Sequence, residues 1–286
     1  MKLKRFQRKS RSEIILHCFV SVFFAIVAAS YLYVLGWMIL AGLKEHTDLI
    51  MDPFGLPSMW KWSNYIEVFT SLEVNGNNFL DMLFNSVWFS VIGTFTAQFF
   101  SLTLAYAATK YTFPGSKWIY PIILVMATFP IYGTGGAAYK LMLDLHLIDN
   151  YAQVLFPQVF GFTVLYYMSF VKSLSWSYAE AAMIDGAGDF GIFFRVMLPQ
   201  MKPIFGALFL SNWVTSWNSY EGAMINIPNL PTLPVGIYQF NVEMTARMRL
   251  DMLFAACVLV CLPSIILFAV FNKTMTSSVS IGGLKG

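Results

Sequence analysis

Six apolar blocks separated by polar segments constrain this chain more than any other feature of its sequence. Each block approaches the roughly 20 residues that an α-helix needs to cross the hydrocarbon core of a bilayer. Only 12% of the residues are charged, whereas soluble proteins have about a quarter. The sequence therefore predicts an all-α polytopic membrane protein with six transmembrane helices, at residues 14–40, 84–108, 118–138, 152–171, 204–220 and 252–271.

The distribution of basic residues predicts the orientation of these spans. Lys and Arg are retained on the cytoplasmic side, so the basic N-terminal segment 1–13 should lie inside, against anionic lipid rather than nucleic acid. An even number of spans then returns the tail, residues 272–286, to the cytoplasm. The polar segment 172–203, between the fourth and fifth spans, is cytoplasmic as well. The basic residues at the N-terminus are Lys2, Lys4, Arg5, Arg8, Lys9 and Arg11.

Segment 172–203 is the longest polar interruption late in the chain, and its pattern predicts two short helices. Ser177 followed three residues later by Glu180 has the spacing of a capping box, which opens a helix. Gly186 and Gly188 should then end that helix, because glycine adopts the positive φ that a helix stop requires.

The second short helix is predicted to begin at Asp189, acting as its cap, and to run through Arg195. Pro199 and Pro203 should bound the segment, since proline interrupts helical hydrogen bonding. Residues 177–203 are therefore expected to form a helix-turn-helix, named the elbow below.

The elbow resembles the EAA loop of ABC importer permeases. Its version, EAAMIDGAGDFGIFFRVMLP, is similar to that of the carbohydrate-uptake permeases of the maltose-transporter MalG type, with Val196 where the general pattern prefers Ile. The resemblance implies a type I ABC importer permease (MetI/MalG-like) fold, one six-span domain over residues 14–286, and a cytoplasmic coupling helix. The positions carried over as ATPase-coupling residues are Glu180, Ala181, Ala182, Asp185, Gly186, Ala187, Leu198 and Pro199.

The same resemblance implies that the chain works in a complex. Its expected partners are a homologous second permease subunit, two ABC ATPase subunits, and an extracellular binding protein that delivers the carbohydrate, an oligosaccharide. No G-x-x-x-x-G-K-[ST] phosphate loop occurs in the chain. ATP and Mg²⁺ are therefore expected on the partner ATPases, with no cofactor on this chain. The tail ending in SIGGLKG resembles the tail that this type inserts between its ATPase subunits.

The fifth predicted span is the most polar and is a candidate lining of the substrate pathway. Trp213 and Trp217 are four residues apart, so they share one helix face, and Asn218 adds an amide. Aromatic faces stack on the C–H surfaces of a sugar, while amides exchange hydrogen bonds with its hydroxyls. The alternative is that these residues serve helix–helix packing.

Two further regions carry expectations. The external loop 221–251 contains Pro231, Pro234 and Tyr238, which correspond by position to a MalG-type loop that enters the sugar cleft of the binding protein; a plain rigid connector is the alternative. The outer end of the third span, which contains Pro130, Gly133, Gly135 and Gly136, is expected to be kinked or unwound, and Pro157 is expected to bend the fourth span near its start.

Other classes of membrane protein fit the sequence less well. A secondary transporter or channel subunit working without an ATPase is the runner-up, but no Asp, Glu, Lys or Arg falls inside a predicted span, and proton-coupled carriers depend on such residues. No zinc or serine-hydrolase motif is present, so neither catalytic nor metal-binding residues are predicted and the chain is not expected to be an enzyme. The predicted location is the plasma membrane of a bacterium or archaeon.

Overall fold

Helices and helical turns form all the regular structure in the residues that the computed structural model describes, which are 11–129, 134–156, 161–247 and 249–279. A 3₁₀ turn spans Tyr151–Leu155, and π-helical turns span Trp88–Ile92 and Ile192–Met197. The α-helices are α1 (Arg11–Gly42), α2 (His46–Met51), α3 (Ser63–Ser71), α4 (Phe79–Val87), α5 (Gly93–Lys110), α6 (Ser116–Thr128), α7 (Thr134–Asp144), α8 (Phe162–Ser173), α9 (Ser177–Ile184), α10 (Asp189–Gly191), α11 (Leu198–Asn218), α12 (Glu221–Asn226), α13 (Leu233–Ala246) and α14 (Leu250–Val279).

Three continuous helices among the described residues are long and apolar enough to cross a membrane. They are Ile15–Gly42, Phe79–Lys110 and Asp189–Asn218, with mean hydropathies of 2.3, 1.4 and 1.2. The second joins α4 to α5 and the third joins α10 to α11, in both cases through a π-helical turn. These helices cover the second predicted span in full and nearly all of the first and fifth, the fifth ending at Asn218 rather than at residue 220. Shorter apolar helices, Ser116–Thr128 and Leu250–Ile266, lie at the third and sixth.

Only some of the positions at which the third and fourth spans were predicted to be irregular lie among the described residues. In the third span α6 ends at Thr128 with Phe129 extended, and α7 begins at Thr134, so the helix is interrupted at its outer part as predicted, with Gly135 and Gly136 in the first turn of α7. Pro130, Gly133 and Pro157 lie outside the described residues.

The described residues fall into two compact units. The first comprises the chain up to Val68 together with Glu243–Leu259. Within it, the buried amide of Asn64 donates to the carbonyls of Gly42 and Lys44 at 3.0 and 2.9 Å and thereby fixes the end of α1. The buried carboxylate of Asp251 accepts three hydrogen bonds from Arg249, which raise the pKa of that arginine.

The second unit comprises Phe69–Val242 and the chain from Val260 onwards. Its core lies where α5 packs against α8. The buried residues come from α5, α6, α8, the elbow and α11, and they are Leu102, Ala105, Tyr106, Ile123, Val164, Tyr167, Met168, Val171, Ala179, Ile192, Phe193, Met197 and Met201. Because elbow residues are members of this core, the elbow is packed onto the helices around it rather than free.

Candidate functional site

The first limb of the elbow is α9, and its start differs from the sequence prediction. Trp176 is the N-cap residue and makes no side-chain cap hydrogen bond, so Ser177 is already the first helical residue. The hydroxyls of Ser175 and Ser177 lie 2.7 Å apart, and Ser175 Oγ accepts the Ser177 N–H. The predicted capping box between Ser177 and Glu180 is therefore wrong, because the N-cap position falls on Trp176 and Ser177 already lies in the first turn.

The end of α9 is a glycine turn, as the sequence predicts. Gly186 has a φ of 81°, a conformation that side-chain-bearing residues rarely adopt. Its N–H donates to the Met183 carbonyl at 3.0 Å, and the Ala187 N–H donates to the Ala182 carbonyl at 2.9 Å. These two bonds form a Schellman motif, which satisfies the last carbonyls of the helix and fixes the direction in which the chain leaves it.

The second limb is longer than predicted and continues into the fifth span. Gly188 is the N-cap of α10, so Asp189 is its first residue rather than its cap. Pro199 and Pro203 do not bound the segment, because both lie inside the continuous helix Asp189–Asn218. The π-helical turn Ile192–Met197 ends two residues before Pro199. The wider turn shifts the hydrogen-bond register just where proline removes a donor, so the helix continues.

The end of α5 holds both limbs of the elbow through four contacts, named the latch. Lys110 Nζ donates to the Leu174 carbonyl at 2.7 Å and lies 5.7 Å from the centre of the Trp176 ring. The Tyr111 hydroxyl donates to Asp189 Oδ1 at 3.1 Å, and its ring meets Trp176 edge to face at 6.3 Å. Burial raises the pKa of Tyr111, so its hydroxyl stays protonated and able to donate. The latch therefore joins α5 to the chain on both sides of the turn.

The remaining elbow residues divide into a packed base and an exposed tip. Ala179 is fully buried in the core, whereas Ile184 and Phe190 are 87% and 82% exposed. Exposed side chains of this size on both sides of a fixed turn are typical of an interaction surface. Between the limbs lies an open concavity of about 640 Å³.

The structure places the predicted coupling residues at different depths in the elbow. Glu180 is exposed on α9, and its carboxylate has no hydrogen-bond or ion-pair partner within the described part of the chain. The predicted coupling residues that line the concavity are Ala182, Asp185, Gly186 and Ala187. Ala181 and Pro199 are exposed, and Leu198 is half-buried. Their role toward an ATPase stays a prediction.

A second candidate site is a cavity of about 530 Å³ in the unit that contains Phe69–Val242. Its walls come from the helix Phe79–Lys110, the 3₁₀ turn Tyr151–Leu155, α8, α11 and the chain after α11. The residues that line it are Ser86, Phe89, Ser90, Gly93, Thr94, Ala97, Gln98, Ser101, Gln153, Val154, Thr163, Asn212, Ser216, Trp217, Ser219, Gly222, Ala223, Asn226, Ile227 and Thr232.

The three residues predicted for the substrate pathway take different positions around this cavity. Trp217 lines it. Trp213 is packed 5.4 Å from Trp217, ring centre to ring centre, and its indole N–H donates to Ser90 Oγ at 3.1 Å. Asn218 is exposed, and its amide donates to the Val214 carbonyl one turn back. Only Trp217 of the three therefore faces the cavity, and Trp213 supports it from behind.

Sequence reasoning missed a row of polar side chains on the helix Phe79–Lys110, named the polar stripe. Its residues are buried, face the cavity and follow one another at three- or four-residue spacing; they are Ser86, Ser90, Thr94, Gln98 and Ser101. The periodicity was available as a signal, because residues four apart in a helix share a face.

The loop that follows α12 is anchored rather than free. The buried Asn85 amide donates to the Pro231 carbonyl at 3.1 Å, and Asp149 accepts from both the backbone and the amide of Asn229 at 2.7 and 2.9 Å. Pro231 is buried and Pro234 lies in the first turn of α13. A rigid connector of regularly spaced prolines is therefore not what the structure shows. Tyr238 is exposed and stacks on Tyr220 at 4.7 Å.

Residues 99–280 match the family described as "Binding-protein-dependent transport system inner membrane component". This segment contains the elbow, α11 and part of the polar stripe. It is about two thirds of the chain.

The chain is also similar along most of its length to sugar permeases. It is 30% identical over 273 residues to the arabinooligosaccharides transport system permease protein AraQ of Bacillus subtilis (strain 168), covering 93% of this chain and 95% of that relative. It is 28% identical over 254 residues to the diacetylchitobiose uptake system permease protein NgcG of Streptomyces coelicolor, covering 87% and 82%.

A solved structure confirms the fold predicted from the sequence. The chain superposes with a TM-score of 0.75 and 25% identity on a chain of a bacterial ABC transporter involved in the import of the acidic polysaccharide alginate. The match covers 93% of this chain and 99% of that one.

Proposed function

Because this chain belongs to the family of binding-protein-dependent transport system inner membrane components, we propose that it is the membrane permease subunit of an ATP-driven importer for an oligosaccharide. An extracellular binding protein delivers the sugar, and a second, homologous permease completes the pathway. Two ATPase subunits bind ATP and Mg²⁺ and supply the energy. The relatives named for arabinooligosaccharide and diacetylchitobiose uptake support a carbohydrate as the substrate.

The elbow is the observation that carries this proposal. It presents two large apolar side chains, Ile184 and Phe190, at a turn whose geometry is fixed by Gly186. A surface of this kind suits a cleft in another protein, because apolar side chains held in place lose little entropy on docking. We assign that cleft to the ATPase subunit. The elbow, the N-terminus and the tail then lie in the cytoplasm.

The latch connects the elbow mechanically to the membrane helices. A movement of the elbow pulls on Lys110 and Tyr111, which end the helix whose polar stripe faces the cavity. Closure of the ATPases therefore moves α5 and α11 together and switches the cavity between its outward-open and inward-open states. Trp217 on the cavity wall, with Trp213 and Asn218 nearby, belongs to this pathway. Pro231, Pro234 and Tyr238 belong to the outer face that receives the binding protein, and Tyr238 is the exposed one of the three.

Weakening the latch should uncouple ATP hydrolysis from uptake. In a Lys110→Met, Tyr111→Phe double variant, two hydrogen bonds worth about 1 kcal/mol each are lost while the apolar bulk of both side chains remains. We expect the amount of sugar moved per ATP to fall about tenfold. Both quantities are measured on the same reconstituted vesicles.

A matched variant separates coupling from folding. Lys172 lies near the end of α8 with its ammonium 4.9 Å from the Tyr120 ring and makes none of the latch contacts, so Lys172→Met should keep the wild-type ratio of sugar to ATP. An unchanged ratio in the latch variant, at normal subunit level, would show that the elbow acts through other contacts.

Reconstituted vesicles also distinguish the proposal from the runner-up. The complex purified through this chain is placed in liposomes with ATP inside and the loaded binding protein outside. Accumulation of sugar should require ATP and should not respond to a proton gradient imposed without ATP. Accumulation driven by the gradient alone would favour a secondary transporter.

A further inference from the structure

We propose that the cavity is a carbohydrate subsite within this subunit itself and that it accepts uncharged sugar units while rejecting acidic ones. The inference rests on the proposed function and adds to it that this chain contacts the substrate and which class of sugar passes. Three observations carry it: the chemistry of the lining, a buried hydroxyl without a partner, and the absence of charge.

The lining has the composition of a polyol site. Hydroxyl and amide side chains come from the polar stripe, from Gln153 and Thr163, and from Asn212 and Ser216 of α11, and Trp217 adds an aromatic surface. Hydroxyls and amides both donate and accept, so they match the hydroxyl groups of a sugar in any rotation. The volume of about 530 Å³ lies within the usual range of small-molecule sites. The cavity therefore holds part of an oligosaccharide at a time.

Part of this lining is already held in place by the protein. Ser86 Oγ accepts the Leu233 N–H at 2.7 Å, and the Tyr167 hydroxyl donates to Gln98 Oε1 at 2.6 Å. The second bond fixes the orientation of the Gln98 amide at the cavity wall. Preorganised donors lose little entropy when they bind.

One polar atom in the cavity wall is left unsatisfied. Thr232 is 6% exposed, and its Oγ1 has no hydrogen-bond partner within the described part of the chain. A buried hydroxyl without a partner is costly and calls for an explanation. Thr232 lines the cavity, so a sugar hydroxyl in the cavity would satisfy it.

The absence of charge defines which sugars fit. No Asp, Glu, Lys, Arg or His occurs among the described residues that line the cavity. A uronic acid carrying a carboxylate would be desolvated there without a cation to pair with, which is strongly unfavourable. The subsite therefore selects neutral sugar units even when the whole complex is presented with acidic ones.

The first experiment removes two hydroxyls from the cavity wall, those of Thr94 and Thr232. Arabinotriose, diacetylchitobiose and maltotriose are tested with the purified complex and its binding protein, and the sugar that most stimulates ATP hydrolysis is used. In a Thr94→Val, Thr232→Val variant we expect stimulation within twofold of wild type but about tenfold less sugar moved per ATP, because roughly one hydrogen-bond equivalent is lost at the subsite.

A control variant accompanies this experiment, and two different results would contradict the subsite and the proposed function. Thr103 lies on the same helix outside the cavity, with its hydroxyl bonded to the Phe99 carbonyl, so Thr103→Val should behave as wild type. Wild-type transport by the double variant would overturn the subsite. Failure of every sugar to stimulate ATP hydrolysis in the unmodified complex would instead count against the proposed function.

A second measurement tests charge selection without relying on that variant. Ser216→Cys is introduced after the native cysteines are replaced, and its reaction with a water-soluble thiol reagent is followed in the assembled complex. The stimulating neutral sugar should slow the reaction, whereas a trimer of guluronate at the same concentration should not. Equal protection by both sugars, or by neither, would contradict the proposal.

Discussion

Replacing Gly186 by proline is expected to abolish sugar uptake while leaving the subunit in the membrane at its normal level. Proline cannot adopt the φ of 81° found at this position, and it removes the N–H that donates to the Met183 carbonyl. The cost of about 3 kcal/mol or more falls on the Schellman turn. The two limbs then take a different angle, and the tip no longer fits its cleft. Uptake should fall to roughly 1% of wild type or below.

Two substitutions control for this effect. Asparagine tolerates positive φ better than other side chains, so Gly186→Asn should retain a substantial part of the uptake. Gly188 has a φ of −76° and open space where a Cβ would lie, so Gly188→Ala should be close to wild type. Normal uptake by the proline variant would remove the elbow turn from the mechanism.

A charge at the tip of the elbow should detach the ATPase. Ile184 is 87% exposed, so Ile184→Asp leaves the fold of this chain intact. In the complex the same change forfeits about 1.5–3 kcal/mol of apolar burial and places a carboxylate against an apolar cleft. The ATPase recovered with the tagged chain should drop at least about tenfold, and a Phe190→Asp variant should behave alike.

Two control variants accompany the charge substitutions at the tip, one for side-chain shape and one for exposure. Ile184→Leu keeps the apolar volume and should retain the ATPase. Met51 is 88% exposed on α2, so Met51→Asp adds the same charge at an equally exposed position that is not part of the elbow and should have no effect on recovery. If Ile184→Asp and Phe190→Asp both keep the ATPase at wild-type yield, the tip is not the docking surface.

The general fold could be predicted from the sequence because apolar blocks of bilayer length have few structural options. In lipid every backbone polar group must be satisfied within the segment, which restricts a spanning block of this length to a helix. The end of α9 was likewise predictable, since a glycine after a helix-forming run is a strong local stop signal. Both inferences depend only on neighbouring residues.

The second limb of the elbow depended on contacts that the local sequence does not contain. The π-helical turn before Pro199 includes Phe193, whose ring packs 4.9 Å from Tyr106. Tyr111 and Asp189 of the latch are 78 residues apart. None of these contacts could be inferred from spacing.

The cavity was predictable only through Trp217. The polar stripe has a clear helical period, but polar residues at that spacing also occur where helices simply pack together in lipid. The structure distinguishes the two cases, because the stripe faces a cavity that α11 and the loop containing Thr232 close from other sides. Such a closure brings together residues more than 100 positions apart in sequence, as in the bond from Trp213 to Ser90.

The most direct test of the central claim is to purify the tagged chain from gently solubilised membranes and identify what accompanies it, with ATP hydrolysis measured on the same material. The account predicts a second permease and an ATPase, with hydrolysis that rises when a sugar-loaded binding protein is added. Recovery of this chain alone under several mild detergents, with no nucleotide-hydrolysing partner, would contradict it.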